Sequence, residues 1–414
     1  MNQEEVAPVV YPSDMWFTPD PKTDIQKSEF IQVAPLSGTS FGSGNTIEFE
    51  ADSQAQLMDL SECYIKATVK LTGGSVTSAA ANFSAYNSMA SCIKQVRTII
   101  GGVQCENQTN YNNGLAYDYR RMSSSQKDNL KVLEAYTLNT VLAGSVIKSN
   151  GRQMTHKLNS GVWNCDKLIP LQWIAGGVRL ELTLSTLAEF LALNTAVATD
   201  FQLIDVRLVC KMITPSVSYA QRIDALLRSG KNAIIPMEIS RTSTYLPTAD
   251  LSQTNVIRTG YIKSLNEIAM THRNTSALTD VAKDSFAQES GSLSTAQFKI
   301  GSDLYPKNFQ IGQSNATGGS VQVESYYQQV RKYPHIDLSE TADGNLNSAV
   351  FYDFKTHKDV SNSNVAVDDG VIEASLLYST NVSSANYYTV DSRIKHGANL
   401  IVSLTDVLLD VRAL

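Results

Sequence analysis

Five cysteines, Cys63, Cys92, Cys105, Cys165 and Cys210, are the side chains best suited to metal binding or redox work. The closest two, Cys92 and Cys105, are separated by a span that fits no paired zinc-ligand motif, and there is no C-x-x-C. An odd number at irregular spacing is not a disulfide framework; it predicts reduced, mostly buried thiols in a protein made in a cytosol. The histidines His156, His272, His335, His357 and His396 are scattered, with no H-x-x-x-H pair, which predicts structural or surface roles. No metal, cofactor or catalytic residue is assigned.

Gly38-Thr39-Ser40-Phe41-Gly42 spells G-x-S-x-G. A nucleophile elbow needs a strand before the serine and a helix after it. Here the segment after it, Thr46-Ile47-Glu48-Phe49-Glu50, alternates like a strand, which argues against a hydrolase. Gly230-Lys231 lacks the upstream glycine of a phosphate loop, and no G-x-G-x-x-G follows a strand. Sequons at Asn82, Asn107, Asn274, Asn315 and Asn381 read as by-products of Asn- and Ser-rich loops, and Asp368-Asp369 as a solvated pair whose spacing matches no calcium loop. The tyrosine pairs Tyr326-Tyr327 and Tyr387-Tyr388 have few basic neighbours, so they suit sheets or subunit interfaces better than stacking on single-stranded nucleic acid.

Chemistry is therefore sparse, and the elements carry the information. Ile65, Ala67, Val69 and Leu71 alternate with polar residues, as do Val178, Leu180, Leu182 and Leu184, and Val206, Leu208, Cys210 and Met212. Leu400, Val402 and Leu404, then Val407, Leu409 and Val411, continue the pattern near the end. Period two predicts antiparallel sheets with one buried face. Clusters such as 37–45, Asn112-Asn113-Gly114 and 315–319 read as turns. Helices are predicted only over 115–122, 126–136, 186–193 and 219–227. Long polar loops are predicted over 72–91, 138–161, 272–293 and 339–369, suited to an exposed crown.

The chain has 414 residues, 43% hydrophobic and 18% charged, enough for a packed core. Each half, 1–213 and 214–414, carries 17 basic and 20 acidic residues, so neither half is a polycation built to coat nucleic acid. No apolar run approaches the ~20 residues of a membrane span, and the acidic opening Met1-Asn2-Gln3-Glu4-Glu5 is not a secretory signal pattern. Thr214-Pro215-Ser216 ends one strand run and Ile234-Ile235-Pro236 opens another, so a boundary is predicted there.

The order of several segments resembles the double jelly-roll major capsid proteins of icosahedral DNA viruses, the lineage of virophages, polinton-like viruses, adenovirus hexons and tectivirus-type phages. The segments are Ile47-Glu48-Phe49 with 60–67; 93–106, a strand, the turn Gly101-Gly102 and a strand, followed by a helix; Lys167-Leu168-Ile169-Pro170-Leu171 with 177–182; 211–216; and 300–306 with 323–327. The resemblance covers most of 25–335. It implies an all-β chain of two consecutive eight-stranded antiparallel jelly rolls with a few short helices in connecting loops. The divisions are an extended arm 1–24, a first roll 25–213, a linker 214–235 and a second roll 236–414. It further implies a homotrimeric, pseudo-sixfold capsomer, neighbouring capsomers as partners together with penton and minor capsid proteins, a DNA genome inside the shell, and a virion protein assembled in the host cytoplasm or nucleus.

The arm is informative by itself. Residues 1–24 hold Glu4, Glu5, Asp14, Asp20 and Asp24 against Lys22, so it cannot neutralise phosphate as basic coat-protein arms do. Pro8, Pro12, Pro19 and Pro21 oppose helix, and Met15, Trp16 and Phe17 form an apolar anchor. Together with Tyr326 and Tyr327 these are the expected assembly contacts, with a neighbouring copy or an internal membrane receiving the arm and no sequence-specific nucleic-acid binding. Two other readings compete: a tandem β-sandwich lectin or fibre-type attachment protein that binds host glycans, and a carbohydrate-active β-sandwich enzyme with paired carboxylates across a cleft.

Overall fold

The computed structural model describes residues 25–52, 56–72, 82–83, 89–134, 151–192, 200–248, 250–279, 293–307, 311–314, 321–333, 349–354, 365–378, 388–403 and 407–410. Met15, Trp16 and Phe17, with the rest of the arm, lie outside the described residues.

Eight main strands frame the first half, with shorter ones beside them: β1 (Ile25–Val33), β2 (Thr46–Ala51), β3 (Leu57–Thr72), β4 (Ile93–Ile100), β5 (Val103–Gln108), β6 (Arg152–His156), β7 (Val178–Leu184) and β8 (Asp200–Pro215). They pair as β1-β8-β3-β6 in one sheet and β5-β4-β7-β2 in the other. Eight more follow: β9 (Ala233–Tyr245), β10 (Ser252–Arg258), β11 (Leu265–Asn274), β12 (Leu293–Ile300), β13 (Ile311–Ser314), β14 (Val350–Asp353), β15 (Val371–Tyr378) and β16 (Tyr388–Val402). Their orders are β9-β16-β11-β14 and β10-β15-β12-β13. Strand for strand, the second half repeats the connectivity of the first. That connectivity, first strand beside eighth and second beside seventh, is a jelly roll, and it occurs twice.

The alternation read in the sequence does what period two requires. Ile47 and Phe49 on β2, Ile65, Ala67 and Val69 on β3, and Leu180 and Leu182 on β7 all point into one core, while the residues between them face outward. A second core gathers Ile257, Ile268, Phe298, Ile372, Ala374 and Ile394. All five cysteines are buried free thiols, and burial pushes Cys105 up to about 12. They are core residues, and so are the buried His156, His272 and His396. Ser40 of the G-x-S-x-G sequence sits in a short strand, Ser40–Gly42, paired with β8, so the helix an elbow needs is missing at that turn.

The rolls are fused edge to edge. β5 meets β9 in parallel at Asn107 and Arg241, which joins one sheet of each roll into a single nine-stranded sheet that includes β17 (Val407–Asp410) beside β16. Ile235, Met237 and Ile239 of β9 and Ala398, Leu400 and Val402 of β16 extend the first core across this join.

Helices fill the connections. α1 (Tyr111–Arg120) and α2 (Ser124–Leu133) follow β5, the second opened by a Ser123/Gln126 capping box. α3 (Leu187–Phe190) follows β7. α4 (Val217–Arg228) links the rolls, capped by Ser216, with Tyr219, Ile223 and Leu227 packed on Leu57, Leu168 and Ile213. The sequence predicts turns and loops at several places where the structure has elements. Asn112-Asn113-Gly114 is the first turn of α1. The loop expected over 138–161 contains β6, and the one over 339–369 contains β14. The loop expected from His272 begins inside β11. β6 and β14 are five and four residues long, too short for alternation to stand out from polar flanks, and they are strands because β3 and β11 offer edges to pair with. Tyr326 and Tyr327 lie on α5 (Val323–Lys332), not on a sheet. Among the described residues no helix is long and apolar enough to cross a membrane.

Candidate functional site

The densest chemistry in the molecule is a polar seam where α1 of the first roll lies against β11 and β16 of the second. α1 follows the hairpin β4–β5 directly, so its orientation is set by the first roll's sheet. Asn110, at φ 52°, turns the chain into the helix. Its Nδ2 donates to Thr244 Oγ1 and to Asp391 Oδ1, both at 2.9 Å. Asn113 Nδ2, one turn on, donates to Thr271 Oγ1 at 3.0 Å and Asp391 Oδ2 at 2.9 Å. Asp391 also accepts from Thr244 Oγ1 at 2.9 Å and pairs with buried Arg273 at 2.7 Å. Donors from both rolls thus converge on its two oxygens, with the Arg273 charge beside them.

At the other end of α1, Asp118 receives a two-pronged bond from Arg393 of β16, Nη1 to Oδ2 at 2.6 Å and Nη2 to Oδ1 at 2.7 Å. Arg121 and Asn159 donate to the same carboxylate. Burial by itself raises the pKa of Asp118, but Arg393 and Arg121 outweigh it and hold the group well below the carboxylate range. Arg121 lies between the rings of Tyr117, 4.0 Å away, and Tyr333, 4.3 Å away, so its charge is met by π faces as well as by Asp118.

Glu267 of β11 is the hub. It pairs with Lys332 at 2.6 Å and Lys395 at 3.1 Å and accepts from Tyr333 Oη at 3.1 Å. Arg393 stands 3.9 Å from it. Burial raises its pKa, and Lys395, Lys332, Arg121 and Arg393 together reverse this and carry it far below its ordinary value. Lys332 comes from α5 and also reaches Asp353 of β14 at 3.4 Å, so the network ties α5 to both strands. Glu106 of β5 closes the third side. It accepts from the backbone N–H of Gly161, Val162 and Ser240 and from Gln108 Nε2, at 2.8–3.2 Å. Burial wins here and its pKa is raised despite those donors. At Gly161 the two rolls come so close that a Cβ would lie 2.2 Å from the Glu238 carbonyl oxygen, which is why this position has no side chain.

This arrangement ties the first roll to the second within the chain. The cavity beside Asn113, Tyr117 and Asp391 measures about 20 Å³, room for a single water and no organic molecule. Its acids already have basic or amide partners inside the chain. Among the described residues no three His, Cys, Asp or Glu side chains cluster tightly enough to hold a metal ion. Of the expected assembly contacts, Met15, Trp16 and Phe17 lie outside the described residues. Tyr327 is 67% exposed on α5, the helix that sends Lys332 to Glu267. Other large apolar side chains facing solvent are Phe30, Val132, Val217, Leu246 and Leu408.

No family model matches the chain, and no curated protein matches it by sequence. Solved structures do match. VP54 of PBCV-1, fitted into a cryo-EM reconstruction of the virophage Sputnik, aligns over 92% of this chain and 96% of its own, with a TM-score of 0.65 and 12% identity. The Faustovirus major capsid protein aligns over 91% and 90%, with a TM-score of 0.60 and 10% identity. A chain of the Sputnik virophage aligns over 94% and 89%, with a TM-score of 0.56 and 11% identity. With two rolls of identical strand order joined along one sheet, and this likeness over nearly the whole of each partner, the chain has the double jelly-roll fold of those viral shell proteins.

Proposed function

We propose that this chain is a major capsid protein that builds an icosahedral shell around a DNA genome, with no catalytic activity. The observation that carries the reading is the repeat itself: two sandwiches of the same strand order, joined through one shared sheet and a buried polar seam. A shell needs subunits that present similar surfaces at fixed angles. Two equivalent wedges per chain give six wedges in a trimer, a block that tiles a hexagonal lattice. The division into arm 1–24, first roll 25–213, linker 214–235 and second roll 236–414 belongs to this reading. So do penton and minor capsid proteins as partners and assembly in a host cell. Met15, Trp16 and Phe17 in the arm, with Tyr326 and Tyr327, are assigned to contacts between copies.

The test is the mass and shape of the purified protein. A mass near three chains that persists on dilution, with hexagonal blocks or closed particles under the electron microscope, is the expected result. A compact monomer that binds a glycan array would replace this reading with the attachment-protein one. Deleting residues 1–24 is expected to leave the trimer mass unchanged and to stop or distort particle formation. Normal particles from the truncated protein would remove the arm from assembly.

A further inference from the structure

The outer face of the first roll's β1-β8-β3-β6 sheet carries a stripe of half-buried cations with no acidic partner among the described residues. Lys66 on β3 and Arg207 on β8 are direct cross-strand partners, so like charges face each other on one side of the sheet, an arrangement that destabilises a bare sheet. Lys70 and Lys211 lie four residues further along the same strands on the same face. None of the four makes an ion pair among the described residues. Lys211 does lie 6.0 Å from the ring of Phe30, which in turn is 6.5 Å from Tyr64. Phe30 is exposed although it is aromatic and central on its strand. The acids nearby do not balance the stripe: Glu29 is taken by Lys27 and Gln56, Asp59 by Ser61, and Glu62 and Asp205 are exposed and make no ion pair among the described residues. The face is therefore a cationic surface with two aromatic rings, built to take an acidic partner that also carries apolar side chains.

Such a partner exists in the chain itself. Residues 1–24 hold five acids against one base, with Tyr11, Met15, Trp16 and Phe17 among them. They lead into Ile25, the first residue of β1. Pro8, Pro12, Pro19 and Pro21 in this stretch of sequence disfavour helix. At about 3.3 Å per residue an arm of this length reaches ~80 Å, several times the ~22 Å radius of gyration expected for a chain of this size. We infer that the basic outer face of this sheet receives the acidic arm of a neighbouring copy, with Phe30 and Tyr64 meeting its apolar residues. This rests on the capsid reading and names the surface by which one copy grips the next.

Carbodiimide cross-linking of an equal mixture of isotope-labelled and unlabelled full-length protein tests it. Peptides joining arm carboxylates of one copy to Lys66, Lys70 or Lys211 of the other are expected, and they should vanish in 1 M salt, where the screening length falls to roughly 3 Å. In Lys66→Glu/Arg207→Glu these products should fall at least about tenfold, because attraction becomes repulsion. Adding Glu4→Lys/Glu5→Lys/Asp14→Lys should restore inter-copy contact, scored by particle yield, which a merely structural lesion would not allow. Cross-links confined to one copy, or directed to another surface, overturn the inference. So does bound nucleic acid that protects these lysines and is lost in the double variant. Wild-type protein that assembles without these cross-links defeats this inference alone; wild-type protein that stays monomeric defeats the capsid reading with it.

Discussion

Replacing Asp118 with alanine is expected to cost about 3–5 kcal/mol of unfolding free energy, the range for removing one partner of a buried ion pair. The carboxylate accepts both prongs of Arg393 and is also bonded by Arg121. Each guanidinium is all but buried, so neither can turn to water when the acid goes. The loss falls on the junction between the rolls more than on either core. Tryptophan reports this selectively, because Trp163 and Trp173 are in the first half, the remaining Trp16 is in the arm, and the second roll has none. Wild-type protein should lose tryptophan fluorescence and backbone circular dichroism together in urea. Asp118→Ala should lose them at different urea concentrations, as each roll unfolds on its own core. Adding Arg393→Met should recover part of the stability, since one stranded charge is then gone. A loss below ~1 kcal/mol, with coincident transitions, would show that the seam is not what couples the rolls.

How much of this was readable beforehand follows from the range of the interactions. Local patterns carried the fold: the alternation on β3, β7 and β8 lies wholly inside each strand, and the Ser216 cap and apolar spacing of α4 lie within one helix. The order of those segments sufficed to suggest two jelly rolls. The seam left no such trace. Asp118 and Arg393 are 275 residues apart, and Asn113 and Asp391 are 278 apart, so no spacing rule joins them. Asn112-Asn113-Gly114 has turn composition, and only contact with β11 and β16 explains why these asparagines open a helix. One faint sign was present: Glu267, Arg393 and Lys395 interrupt stretches that otherwise read as buried strand, and a charge placed there needs a partner. Tyr326 and Tyr327 looked like sheet residues because paired aromatics favour strands. The helix that holds them ends in Arg331 and Lys332, which reach Asp353 and Glu267, so tertiary ion pairs anchor its last turn.

Acid should weaken the subunit in two stages, the first between about pH 6.5 and pH 4. His272 and His396 are buried, and burial holds both down at about 4, with Arg241 adding to the effect at His396. Each is neutral in the folded protein while its unfolded counterpart binds a proton near pH 6.5. Their contribution is complete above pH 6.5 and declines as pH falls toward the folded value, because the unfolded state takes up the extra protons. A depression of this size corresponds to about 3 kcal/mol for each histidine, at 1.36 kcal/mol per pH unit. The geometry explains why neither can charge in place. His396 Nδ1 donates to the Gly397 carbonyl oxygen at 3.1 Å, and His272 Nε2 faces Tyr378 Oη at 3.3 Å; among the described residues no carboxylate is bonded to either ring. The second stage belongs to Asp118 and Glu267. Their folded values are depressed, so their stabilisation is present above the ordinary carboxylate range and is lost only as pH falls below it. Urea unfolding at pH 7.5 and pH 5 measures the first stage. His272→Phe, which keeps the ring and removes the titration, should flatten the stability loss between those two values by up to half. An unchanged slope in both His272→Phe and His396→Phe would assign the acid sensitivity to other groups.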